Sequence, residues 1–205
     1  MIKTLLTTAT LLAATQLAQA ATVVDTGTPS GSAIGAAAFD SVDWTAAQVT
    51  FAQAANIDTI QGHILGGAAG ETFDISLFAA DAVHGPGSLL YTTTTTFGSD
   101  GWNGVSGLSG WTVAAGSYWV EFEIQGGDTL GSSSVTGALL DLGAPNPVAL
   151  TASTSDSGFH YNEDALSIGL RIDTVSSVPE PTEALQMLAG GMLLLTSAGL
   201  VRRRR

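Results

Sequence analysis

Between its two ends the sequence predicts an all-β fold, an antiparallel β-sandwich of the jelly-roll type. Three observations carry this. Apolar residues between Ala21 and Ser177 recur with a period of two, as in strands with one buried face. Glycine-rich and polar clusters interrupt these runs at near-regular spacing, over 29–35, 66–70, 84–88, 98–104 and 126–134. No stretch of this body sustains the 3.6-residue period of an amphipathic helix. Short strands with turn signals between them are the pattern of sandwiches.

The N-terminus is read first. Lys3 supplies a positive start, Leu5 to Ala14 a short apolar run, and Ala18-Gln19-Ala20 a small-residue cleavage site, so residues 1–20 read as a signal peptide. Residues 21–177, 157 in all, form one β-sandwich domain long enough to bury a sizeable core. Its strands are expected at Thr22–Thr26, Ala47–Phe51, Ile57–Leu65, Thr72–Ala79, Leu89–Phe97, Ser117–Ile124, Val135–Leu142, Val148–Ala152 and Leu166–Ile172. Thr92 to Thr96 is low in complexity, but β-branched threonines suit a pleated surface. In Ser117–Ile124 the alternation sends Tyr118, Val120, Phe122 and Ile124 to one face, and Trp119, Glu121 and Glu123 to the other. In Leu166–Ile172 it sends Leu166, Ile168, Leu170 and Ile172 inward.

Composition narrows the function classes. The chain has no cysteine, which excludes a disulfide framework and thiolate metal sites. Of six basic residues, Lys3 and Arg202 to Arg205 lie in the ends, leaving Arg171 alone in the body. Of eighteen acidic residues, Glu180 and Glu183 lie in the tail, leaving sixteen and a body charge of −15. Such a surface repels nucleic acid, and serves as a solubility device or a partner for divalent cations.

The last 28 residues have three parts: the tetrad Val178, Pro179, Glu180, Pro181; an uncharged run, Ala184 to Val201; and Arg202, Arg203, Arg204, Arg205. The prolines hold the tetrad extended. At about 1.5 Å per residue the 18-residue run reaches about 27 Å, the thickness of a bilayer core. The arginines keep their end in the cytoplasm. This order resembles the PEP-CTERM sorting signal, with residues 178–205 as a C-terminal transmembrane sorting helix behind its motif. The resemblance implies an exosortase as partner and processing of the tail. It also implies an inner-membrane-anchored precursor that ends at the cell surface or in the extracellular polysaccharide matrix.

A looser resemblance covers the body. Trp44-x-x-Ala47-x-x-x-Phe51, Ile57-x-x-Ile60, Gly85-Pro86-Gly87-Ser88-Leu89-Leu90 and Ala115-Gly116-x-Tyr118-Trp119-Val120 are similar to envelope β-sandwich domains that precede such tails. These are packing and turn residues, and they bring no active site with them.

The remaining constellations are weak. Val23-Val24-Asp25-Thr26-Gly27 looks like an aspartic-protease strand with Asp156-Ser157-Gly158 as a partner, but Asp156 follows a polar run unlike a buried strand. His63, His84 and His160 lack metal-ligand spacing, and Gly104-Val105-Ser106-Gly107 fails as a nucleophile elbow at its fifth position. Asp40 with Asp43, and Glu163 with Asp164, could supply oxygens to calcium, though no known loop spacing is present, so no cofactor is assigned. Trp119, Trp102 and Trp111 could stack on sugar rings, or could instead be covered and plug the sandwich. The expected role is non-enzymatic, structural or adhesive, with polysaccharide as a partner. The alternative is an envelope hydrolase, which needs two carboxylates such as Glu121 and Glu123 across a groove.

Overall fold

The computed structural model describes residues 20–29, 36–80, 85–133, 138–141, 151–158, 160–164 and 168–175. The signal peptide up to residue 19, the whole of 178–205 with its tetrad, apolar span and four arginines, and His84 lie outside the described residues. Among the described residues there are thirteen strands, numbered here in chain order, and no helix.

Seven strands form the first sheet: β1 (Ala20–Asp25), β2 (Ala36–Phe39), β4 (Ala55–Leu65), β7 (Gly101–Val105), β8 (Thr112–Val113), β10 (Ala138–Asp141) and β13 (Leu170–Val175). The long β4 is its spine. β13 and β10 follow one another along one side of β4, β7 and β8 along the other, all antiparallel. β1 closes the far side of β13, with Ala20 opposite Val175. The second sheet runs β12 (Asn162–Asp164), β11 (Thr151–Thr154), β3 (Trp44–Phe51), β9 (Gly116–Glu123), β5 (Thr72–Ala80), β6 (Pro86–Thr96).

The two antiparallel sheets share one core. Val49, Phe51, Phe73, Ile75, Leu77, Val120 and Phe122 come from the second sheet; Ile57, Ile60, Ile64, Leu140, Leu170 and Ile172 come from the first. The sheets meet closely at Gly62, where a Cβ would lie 2.7 Å from the Phe122 ring, so only glycine leaves room for that ring. In the same part of the core Phe39 meets Phe73 edge to face, ring centres 6.0 Å apart.

Three expectations need correction. The 98–104 cluster, read as a turn, contains β7. Its Gly104 is a packing device, because a Cβ there would come within 2.1 Å of the Ile60 carbonyl oxygen on β4. β2, β8 and β12, at most four residues each, are too short to show a period. Finally, β9 is not half-buried: from Trp119 to Glu123 it is buried on both faces.

Candidate functional site

The outer face of β9 is covered, and it buries two carboxylates. Alternation places Val120 and Phe122 in the shared core, and Trp119, Glu121 and Glu123 on the opposite face, as expected. That face is nevertheless closed: Trp119 is 1 % exposed, Glu121 0 % and Glu123 1 %. Trp119 packs with Ala46 and Ala152 of neighbouring strands, and Phe78, Ala80 and Tyr161 lie against this group. Pairing lines up Ala152, Ala46, Glu121 and Ser76 across four strands, so two alanines beside the carboxylate leave space for a cover.

The cover includes the segment after β11. Its Asp156 is an organising centre, accepting hydrogen bonds from the Thr154 hydroxyl (2.7 Å) and the His160 backbone N–H (2.9 Å), with the His160 ring against its second oxygen. These contacts hold the Asp156 carboxyl down at about 2. Ser157, with φ of 59°, turns the chain, and its N–H and hydroxyl donate to the Val42 and Ser41 carbonyls. A Cβ on Gly158 would lie 2.8 Å from the Trp44 ring, so glycine lets the segment lie flat on it. The segment ends at Tyr161, whose hydroxyl donates to Glu121 Oε2 at 2.9 Å.

Burial, then the neighbouring Glu123, pushes the Glu121 carboxyl up to about 8, against the pull of the Tyr161 hydrogen bond. Burial also raises Glu123, although Ser76 and Gln125 favour its charged form. Glu121 Oε1, Glu123 Oε1 and Asp74 Oδ1 have no hydrogen-bond partner among the described residues. A neutral Glu121 lessens the cost of this burial. Where the start of β3 and the end of β11 meet β2 of the first sheet lies a cleft of about 160 Å³, lined by Ala37, Ala38, Asp43, Trp44, Thr154 and Asn162 among others. Its carboxylate, amide and hydroxyls can hydrogen-bond a small polar molecule.

The other candidates fall elsewhere, and mostly into structural duties. Trp119 is buried and cannot stack on a sugar from solvent; the cover over its face is the reason. Trp111 belongs to the core, stacked on Tyr91 at 5.2 Å. Trp102 is partly exposed, but the Arg171 guanidinium lies 4.0 Å over its ring and His63 meets its edge. Asp25 accepts from the Gly27 N–H at 2.9 Å, which lowers its carboxyl, and pairs with Arg171 at 3.2 Å. Asp25 and Asp156 lie at strands of different sheets with separate partners, so they form no dyad. Asp40 caps a turn through the N–H groups of Val42 and Asp43. Burial and Asp40 raise the Asp43 carboxyl. Glu163 and Asp164 lie in β12, their side chains outside the described residues. Among the described residues no three His, Asp or Glu side chains gather as a metal site would require.

Sequence reasoning missed Glu71. Its carboxylate accepts from the N–H groups of Ala68 (2.8 Å), Gly131 (2.9 Å) and Ser133 (3.1 Å), and from the Ser132 and Ser133 hydroxyls. Burial pushes it up, but these donors outweigh burial and hold it at about 2. It pins two turns sixty residues apart, and nothing periodic in the sequence marks it. No family model matches the chain, and no curated protein matches it in sequence.

Proposed function

We propose that this chain is an exported protein of the cell surface or extracellular matrix, sorted through its PEP-CTERM-like tail, whose β body has a structural or adhesive role. The observation that carries the location is the tail itself: Val178 to Pro181, then Ala184 to Val201, then four arginines. The supporting feature of the body is the closed state of Glu121 and Glu123. The competing hydrolase needs a carboxylate pair reached by substrate and water; both are buried, with Tyr161 over Glu121 and Gln125 against Glu123. Polysaccharide association is served by the polar cleft at Asp43 and Asn162 rather than by Trp119. We read the strand order as jelly-roll-like, since the chain passes from one sheet to the other at β2–β3, β3–β4, β4–β5, β6–β7, β8–β9, β9–β10, β10–β11 and β12–β13.

The test of sorting is mass spectrometry of the C-terminal peptide, in membrane and surface fractions of a host that has an exosortase. The mature form is expected to lack Arg202 to Arg205. Replacing Val178 to Pro181 with alanines is expected to keep membrane insertion, because the apolar run and arginines remain, and to stop processing. A mature protein that retains all four arginines, with the alanine variant in the same fractions, would reduce the tail to an anchor. A glycan array run beside a turnover assay on the same sugars separates adhesion from hydrolysis.

A further inference from the structure

We propose that the free edge of β6 is a self-association site, where a second copy of this chain adds its own β6 antiparallel across a two-fold axis at Thr94. Among the described residues β6 is the last strand of its sheet, with β5 as its one strand partner. The register between them is regular from Thr72 opposite Thr96 to Leu77 opposite Tyr91. The Phe97 N–H donates to the Glu71 carbonyl at 2.7 Å, which marks 71 and 97 as a hydrogen-bonded pair. Antiparallel alternation then turns the backbone groups of 95, 93 and 91 toward β5, and those of Thr92, Thr94 and Thr96 away from it. Those three residues are exposed, and each offers an N–H and a C=O to the open side.

Several features make the occupant a second copy rather than an unrelated strand. Thr92 to Thr96 reads the same in both directions, so a two-fold related strand sets Thr92 opposite Thr96 and Thr94 opposite itself. Threonine pairs are favourable cross-strand neighbours. Pro86 to Ser99 carries no charge in a body of −15, so here two copies meet least repulsion. Two of the three exposed large apolar side chains among the described residues, Leu89 (53 %) and Leu90 (42 %), stand at the start of the same strand. The register shift there confines pairing to 91–96. β6 also lacks the lysine by which edge strands usually repel one another. So short an interface is weak, so it is best trapped covalently.

The absence of cysteine makes any introduced thiol unique. The full chain carrying Thr94→Cys, dilute in excess mild detergent with a mild oxidant, is expected to form a disulfide dimer several-fold faster than the same chain carrying Ser109→Cys, an exposed position off this edge. A hydrogen-bonded pair places the Cα atoms about 5.5 Å apart, within disulfide range. Adding Thr92→Lys and Thr96→Lys sets like charges opposite each other and is expected to bring the rate down to that of Ser109→Cys. Thr92→Pro is the second block, because the N–H it removes is one that β5 does not use. Tryptophan emission and melting report the fold of each variant. Equal rates at the two thiols, or a Thr94→Cys rate unchanged by a block in a folded chain, would overturn the proposal.

Discussion

Glu121 is the residue at which covering the outer face of β9 has its largest electrostatic effect. Its folded carboxyl sits near 8, against 4.5 when unperturbed. Between these values the unfolded chain has released a proton that the folded chain still holds. Stability is therefore fully present below about 4.5 and falls as pH rises through about 8. Burial moves Glu123 in the same direction. Glu71 and Asp156 have the opposite sign, and their stabilisation is lost as pH falls below the usual carboxyl range toward about 2. Thermal melts are expected to show lower stability at pH 8 than at pH 5. Glu121→Gln, which keeps an acceptor for Tyr161 and has no proton to lose, is expected to flatten most of that slope and melt higher than the parent at pH 8. A parent melting equally at both pH values would mean that Glu121 is solvated.

At the scale of the element, β7 shows what glycine conceals. Gly98 and Gly104 look alike in a glycine-rich stretch, but the Gly104 position lies against the β4 backbone, whereas a Cβ on Gly98 would meet only Asn103 Oδ1 at 3.7 Å. Gly104→Ala is expected to cost about 1–3 kcal/mol as β7 is pushed off β4. Gly98→Ala is expected to stay within about 0.5 kcal/mol. Urea unfolding of the two variants checks this, and equal effects would show that β7 does not need the close approach. This pair also marks how far the sequence could be read. β3, β5, β9 and the stretch of β13 were legible because their alternation records one shared core, whereas β4 and β6 were fainter, β6 resting on its β-branched threonines. β7 was hidden because its pairing depends on the absence of a side chain. The covered face of β9 was hidden because Glu121 and Glu123 look like solvent residues; the Tyr161 that closes over Glu121 lies 40 residues away and leaves no period. The Glu71 staple depends mainly on backbone N–H groups, which no residue type announces.

For the whole molecule, the expectation is that residues 21–177 expressed alone fold to a β-rich state. With one core, no disulfide and a body of −15, packing must carry the stability. Leu170→Asp puts a carboxylate into that core on the spine side, at a cost of several kcal/mol against a total of about 5–15 kcal/mol, and should unfold it. Circular dichroism checks both statements. A helix-dominated spectrum, or a Leu170→Asp variant that melts like the parent, would show the assigned core to be wrong.

The pairing of β1 with β13 has a temporal meaning. The first strand, Ala20–Asp25, has β13 as its only strand partner among the described residues, and β13 is the last of the described strands to leave the ribosome. β4 also waits for β13 along most of one side. Until residue 175 has been synthesised, the first sheet lacks the strand that joins its beginning to its spine, and loop closure over about 150 residues comes late and slowly. If the chain is exported as proposed above, this order suits its passage across a membrane as an unfolded thread. The sandwich cannot close behind the leading end before the trailing end exists.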